Sequence, residues 1–290
     1  MTYGSGWGGG GRGRGINFRI IIAIVIALIG IIGYLGKRSV NPVTGEVQHV
    51  NLSADQEIAL GLQSAPEMAR EMGGVVPPSD PRARMVEEVG NHVAESSDAS
   101  SPNSPYRGHF QYHLLNDPQT INAFALPGGQ VFITLGLYDK LQTEAQLAGV
   151  LGHETGHVIG RHASEHMAQG QLGQMLATAV GVGASDRRNG YGAAIAAQAA
   201  NQLIQLKFSR NDESEADNFG LRYMAQAGYD PRAMLQVMEI LQQASAGGRT
   251  PEMLATHPLP ATRLEEIKQK IQQMFPNGIP PQLTEGRALH

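Results

Sequence analysis

The sequence contains no cysteine. That excludes disulfide frameworks, thiolate metal sites and cysteine nucleophiles, and leaves His, Asp and Glu to build any metal site. It is compatible with an extracytoplasmic domain that dispenses with disulfides. A large excess of either charge is also missing. With 22 basic against 26 acidic side chains the net charge is −4, and no nucleic-acid partner is expected. What is present is apolar mass. Hydrophobic residues make up 41% of 290, enough for a sizeable core in one large domain or two small ones.

Two N-terminal stretches stand apart from that core. Residues 1–17 are glycine-rich, with Tyr3, Trp7, Arg12 and Arg14 among them. Such a segment buries too little surface to fold and is expected to be a disordered tail. Ile20 to Gly36 then runs without a charge. With Phe18 in front and Arg19 able to snorkel, residues 18–36 reach the length of a membrane span. No polar face interrupts them as one would in a soluble helix. A cleavable signal peptide would be shorter and be followed by small residues. Here Lys37-Arg38 follows, so one uncleaved transmembrane helix is expected. Arg12, Arg14 and Arg19 precede it against Lys37 and Arg38 behind. By that balance the N-terminus is expected in the cytoplasm and the main domain outside, on the periplasmic side of the inner membrane if the source is bacterial.

Residues 37–52, with Pro42 and Gly45, read as a linker, and residues 53–275 as the main domain. Ser53-Ala54-Asp55-Gln56 has capping-box spacing and predicts a helix to about Met72. Asp80-Pro81 starts a second through Val86, Val89 and Val93 to near Ser96. Phe110, Tyr112 and Leu114 alternate with polar neighbours. Ile121 to Leu126 and Gln130 to Thr134 flank the turn Pro127-Gly128-Gly129. A small antiparallel sheet is therefore expected. Thr143-Glu144-Ala145-Gln146 caps the next helix, which is expected to reach Met167. Leu172 to Val180 and Ala194 to Leu206 suggest two more helices around a loop at 181–192, together a helical lid. Asp230-Pro231 begins another, with Met234, Val237, Met238 and Leu241 on a core face, and Ala261 to Met274 forms the last. Residues 276–290 read as an extended, peripheral tail.

The chemistry lies in the helix behind Thr143, where His153-Glu154-Thr155-Gly156-His157 reads H-E-x-x-H. Two histidines four apart lie one above the other on a helix face and can share a metal ion. Glu154 projects about 100° round the helix, where it can serve as general base to an activated water. A catalytic zinc takes three protein ligands and leaves a position open. His162 falls one residue short of the longer pattern H-E-x-x-H-x-x-G-x-x-H, whose last place is Ala163, and His166 lies too far along the helix. Glu213, in Glu213-Ser214-Glu215-Ala216-Asp217 after an Asn211-Asp212 cap, is the better third ligand. Asp217, one turn on, can orient a ligand histidine through its free ring nitrogen. Glu215 points elsewhere and reads as solvated.

Taken in order, Leu52 to Glu57, Asn122 to Gly129, the H-E-x-x-H helix, Glu213 to Asp217, and Thr256-His257-Pro258 with Arg263 resemble the zinc metallopeptidases of the CAAX-prenyl-protease/HtpX family. The likeness is greatest to their single-anchor branch, the BepA-like and mitochondrial Oma-like peptidases. It covers roughly residues 51 to 275. It implies a mainly helical α+β, gluzincin-like zincin domain, with a small antiparallel sheet on the metal-binding helix and zinc held by His153, His157 and Glu213. It also implies that the strand Asn122, Ala123, Phe124 and Ala125 is the edge that takes substrate, which suits strand addition of an extended peptide. It places the Thr256 to Pro260 loop near the zinc, where His257 or Arg263 would contact the metal, its water or the oxyanion.

The expected protein is a membrane-anchored zinc endopeptidase with one Zn²⁺ per chain. Its partners would be polypeptides, misfolded or from the envelope, and the membrane. No oligomeric interface is read from the sequence. The alternative is a zinc-bound chaperone or assembly module with gated or little proteolysis, against which the intact Glu154 argues.

Overall fold

The computed structural model describes residues 18–184, 207–246, 250–259 and 261–290. The expected glycine-rich tail lies outside them. Helix α1 (Phe18–Leu35) leaves Ile24, Ile29, Ile32 and Leu35 exposed. Its Gly30 faces Leu172 and Met175 of a later helix. Among the described residues no helix is long and apolar enough to cross a membrane. The 18 residues of α1 rise ~27 Å, a little short of the ~30 Å hydrocarbon core.

The expected linker is instead a docked hairpin. Strands β1 (Arg38–Val40) and β2 (Val47–His49) pair antiparallel. Asn41 accepts from the backbone N–H of Val43 and Thr44 in the turn. Its amide donates to Ile159 O at 2.8 Å, and that of Gln48 donates to Gly160 O. Asn41 and Gln48, inside the stretch read as a linker, are thus buried partners of a helix end, whose last carbonyls have no partner within their own helix. Helix α2 (Ala54–Glu71) starts at a complete Ser53/Gln56 capping box. Helix α3 (Pro81–Glu95) starts at Asp80, whose side chain accepts from Arg82 N, and buries Val86, Val89 and Val93.

Strands β3 (Gln111–Leu115), β4 (Ala123–Leu126) and β5 (Gln130–Thr134) form one sheet in the order β3-β5-β4. It is mixed, not antiparallel: β5 runs antiparallel to β4 but parallel to β3. All five residues of β5 are buried, so its backbone groups need strand partners on both edges. The tight turn at Gly128-Gly129 supplies β4 on one edge, and β3 must take the other. β4 is left with a strand partner on one side only among the described residues.

A short helix α4 (Leu135–Tyr138) leads to α5 (Glu144–Ile159), in which every residue is buried. A helix buried all round lies in the core, and α5 packs against β4, α3 and two later helices. It does not run on to Met167. The chain breaks at Gly160-Arg161, where Arg161 takes φ 58°, and restarts as α6 (His162–Ala184), which packs on α1. The start of the expected loop at 181 is still helical. The rest of that loop and the helix expected at Ala194 to Leu206 lie outside the described residues.

Helix α7 (Arg210–Gln226) is capped by Ser209, two residues before the expected Asn211-Asp212 cap, with Asp212 completing the box. Helices α8 (Ala233–Ala246), α9 (Glu252–Thr256) and α10 (Ala261–Met274) follow. The C-terminal tail is extended but not peripheral. Glu144 N and Ala145 N donate to Arg287 O and Glu285 O, and Leu289 N donates to Gln142 O. Arg287 also pairs with Glu144 and Glu88. Free N–H groups at the start of α5 require acceptors, and the tail provides them.

Candidate metal centre

The centre forms where α5 and α7 touch. Small residues bring the two backbones together: a Cβ on Gly156 would lie 2.9 Å from Phe219 Cβ and 3.1 Å from Ala216 O, and one on Gly220 would lie 3.1 Å from His153 N. Close approach of this kind lets short side chains bridge the helices. Glu213 and Asp217 on α7 thereby meet His153 and His157 on α5.

His153 Nε2 and His157 Nε2 face each other at 3.0 Å. Glu213 Oε2 lies 3.6 Å from the first, and Oε1 lies 3.4 Å from the second. His257, the C-cap residue just after α9, joins them: its Nδ1 is 2.9 Å from Glu213 Oε1 and 3.4 Å from His153 Nε2. One ligand atom from each of the four residues lies within 4.8 Å of every other. Atoms each ~2.0–2.2 Å from one ion can be at most ~4.4 Å apart, and the His153, His157 and Glu213 pairs meet that limit. All four side chains are buried. Two imidazole nitrogens and a carboxylate converging in a buried site are the donor set that could hold a cation between them. The residues present fit a metal.

Glu154 is equally buried, with its Oε1 lacking a hydrogen-bond partner and 3.7 Å from His257 Nε2. Burial pushes its carboxyl above the ordinary value, against the pull of His257 and His153. A raised carboxyl suits a proton carrier. Burial also drives His157 well below the ordinary imidazole value, which keeps it neutral. For Glu213 burial acts upward, but the charge of His257 and hydrogen bonds from His157 and His257 prevail and hold it well below the ordinary value. His257 is held above its ordinary value; burial opposes this, and the Glu213 and Glu154 carboxylates outweigh it.

Behind this cluster, Asp217 Oδ1 sits 3.0 Å from His153 Nδ1, in a bent rather than linear approach. Arg263 grips Asp217 with two bonds, Nε to Oδ2 at 2.7 Å and Nη2 to Oδ1 at 2.8 Å, and its Nη1 is 2.5 Å from Glu213 Oε2. It is therefore spent on the two carboxylates. Neither His162 nor His166 joins the cluster. His162 lies behind His157, and His166 Nε2 pairs with Asp212 Oδ2 at 2.7 Å. Glu215, read as solvated, in fact reaches His162 Nε2 at 3.3 Å.

The expected edge strand lies beside the centre, since β4 packs on α5. Asn122 precedes it, buried, with its backbone tied to Thr134 and its Oδ1 free of any hydrogen bond. Ala125, Leu126, Pro127, His157, Val158 and Phe208 line a recess between β4 and α5. Sequence reasoning missed Phe208, whose ring centroid is 4.2 Å from that of His157 and 5.1 Å from that of His257. A lone aromatic ahead of a helix cap carried no signal. Tyr112 was read only as a strand residue, yet its hydroxyl meets Thr155 Oγ1 at 2.8 Å and ties the sheet to the middle of the H-E-x-x-H turn.

Among known proteins, the chain is 32% identical to the beta-barrel assembly-enhancing protease of Yersinia pestis, over 84% of this chain and 50% of that protein. It is 31% identical to the Escherichia coli K12 protein of the same name, over 77% and 47%. It is 28% identical to the mitochondrial metalloendopeptidase OMA1 of Saccharomyces cerevisiae, over 79% and 67%. The chain thus spans about half the length of the bacterial relatives it matches. Residues 80–271, which hold every side chain of the centre, match peptidase family M48, and the chain belongs to that family.

Proposed function

We propose that this chain is a membrane-anchored zinc endopeptidase that cuts extended segments of misfolded or envelope proteins. The observation that carries the reading is the convergence of His153, His157 and Glu213 at 3.0–3.6 Å in a buried site with Glu154 alongside. Those three residues would hold the zinc, which when bound polarises the scissile carbonyl and acidifies the attacking water. Glu154 takes a proton from that water on a carboxylate oxygen and delivers it to the leaving amine. Asp217 orients His153 from behind, and Arg263 holds Asp217 and Glu213 in place. The main chain of the substrate adds as a strand to the open side of β4, from Asn122 through Ala123 and Phe124 to Ala125. The recess beside His157 accepts a side chain next to the cut.

The membrane anchor is residues 18–36. The uncharged run from Ile20 and the exposed apolar side chains of α1 support it. The substrate class draws on the relatives named for β-barrel assembly. The alternative, an assembly module with gated proteolysis, is favoured by one feature: His257 lies inside the cluster of candidate ligands, where a fourth ligand would shut out the water.

The test is cleavage of an unfolded protein by wild type and by Glu154→Gln, with zinc content measured on both. One zinc per chain in each, and a rate loss of ~10²–10⁴-fold in the variant, is the expected result. Equal cleavage by the two removes Glu154 from the mechanism, and absence of zinc from the wild type removes the mechanism altogether.

A further inference from the structure

Each histidine of the H-E-x-x-H turn presents its second ring nitrogen to a partner, but the partners differ. His153 meets a carboxylate directly, Asp217. His157 Nδ1 instead faces another ring nitrogen, His162 Nδ1, at 2.8 Å, and His162 Nε2 reaches Glu215 Oε2 at 3.3 Å. We propose that His162, backed by Glu215, is a positioning residue that fixes the tautomer and orientation of His157. This rests on the reading of His153, His157 and Glu213 as metal ligands.

With a neutral His162 and an ionised Glu215, the two contacts define one direction of donation. An ionised carboxylate only accepts, so the proton of a neutral His162 sits on Nε2 and points at Glu215. His162 Nδ1 is then an acceptor. His157 must donate from Nδ1, which leaves the lone pair of its Nε2 facing the centre. That is the form in which imidazole binds a metal.

The backbone is shaped for this contact. At the break between α5 and α6, Arg161 adopts φ 58°, a left-handed conformation that side chains with a Cβ seldom take. The reversal folds the His162 ring back across Gly160, where a Cβ would lie 2.4 Å from His162 Nε2. Arg161 is held there by Glu57, with Nε to Oε1 at 3.0 Å and Nη2 to Oε1 at 2.8 Å, and by Leu52 O at 2.7 Å. A strained residue held by several independent contacts marks a geometry that the surroundings enforce. Here that geometry delivers one ring to the back of another.

Zinc dissociation constants for the full chain and its variants, by chelator competition, give the test. His162→Leu keeps the volume and loses the acceptor; it is expected to weaken zinc by ~10–100-fold, as loss of a ligand's hydrogen-bond partner does. His162→Asn, whose amide oxygen can replace Nδ1, is expected to stay within ~5-fold of wild type. A ring nitrogen that serves only packing would give equal losses in the two, or none, and either outcome overturns the inference while wild type still binds zinc. A wild type without zinc instead overturns the ligand reading, and this one with it. Should His162→Leu not fold, ¹⁵N chemical shifts of the wild-type imidazoles decide: the proton is expected on Nδ1 of His157 and on Nε2 of His162, and the reverse pattern refutes the relay.

Discussion

His257 is the residue whose replacement separates two chemistries at one position. It lies among the candidate ligands, 2.9 Å from Glu213 Oε1 and 3.7 Å from Glu154 Oε1. If it closes the site, His257→Ala raises cleavage of an unfolded client with zinc content unchanged. If it stabilises charge developing on the carbonyl oxygen, the same variant loses ~10²–10³-fold with zinc retained. The geometry favours the first outcome, because the ring faces ligand atoms. Unchanged rate and unchanged zinc affinity would remove His257 from both roles. At this scale the sequence was most legible. Four-residue spacing on a helix places His153 with His157, and Glu213 with Asp217, without any knowledge of the fold. His162 and Glu215 were not legible, because their use depends on a reversal at Arg161 that a non-glycine residue rarely makes.

Between elements, the spacing of α5 and α7 decides whether the ligands meet. Gly156→Ala would place a methyl 2.9 Å from Phe219 Cβ and 3.1 Å from Ala216 O, so the helices must part by a few tenths of an ångström. We expect a stability loss of ~1–3 kcal/mol in urea unfolding, together with weaker zinc binding. Native stability and native zinc affinity in this variant would show that the contact yields without cost. Helix starts were readable here because capping is local: Ser53, Asp80 and Thr143 each precede a helix by one residue. Strand partners were not, because periodicity reports which face is buried and says nothing of which strand lies alongside. The mixed sheet follows from β5 being buried throughout, a property that emerges only when α5 covers it. The hairpin at 38–49 was hidden for a similar reason. Asn41 and Gln48 look like linker residues until a helix end offers them carbonyls.

For the molecule as a whole, the C-terminal tail acts as a strap joining the start of α5 to the α7–α8 turn. Thr284 N donates to Gly228 O, Asp230 N donates to Thr284 O, and three further backbone bonds join 285–289 to 142–145. At ~1 kcal/mol for each backbone bond, removing residues 276–290 is expected to lower the thermal midpoint by more than ~5 °C; an unchanged midpoint would make the strap incidental. Acid should act in the same direction. Burial raises Asp217, but the Arg263 guanidinium outweighs it and holds the carboxyl below its ordinary value. Burial likewise raises Asp212, and His166 with Ser209 overcomes this and brings it to about 2. Both are depressed in the folded chain, so their contribution is complete above the unfolded carboxyl value of ~3.9 and is lost as pH falls toward the folded value. Thermal midpoints of the chelator-treated chain should fall between about pH 4 and about pH 2, and a flat profile there would contradict the assignment. If substrate adds to β4 as proposed, the one-sided pairing of that strand has a last consequence, for the client rather than for the protease. A partner that must arrive as a bare strand is read by how often it comes undone. Cutting then follows the fraction of time a segment spends open, and each ~1.4 kcal/mol of local opening cost slows it tenfold. A folded envelope protein and its stalled precursor, identical in sequence at the cut, would then be told apart by their fluctuations alone.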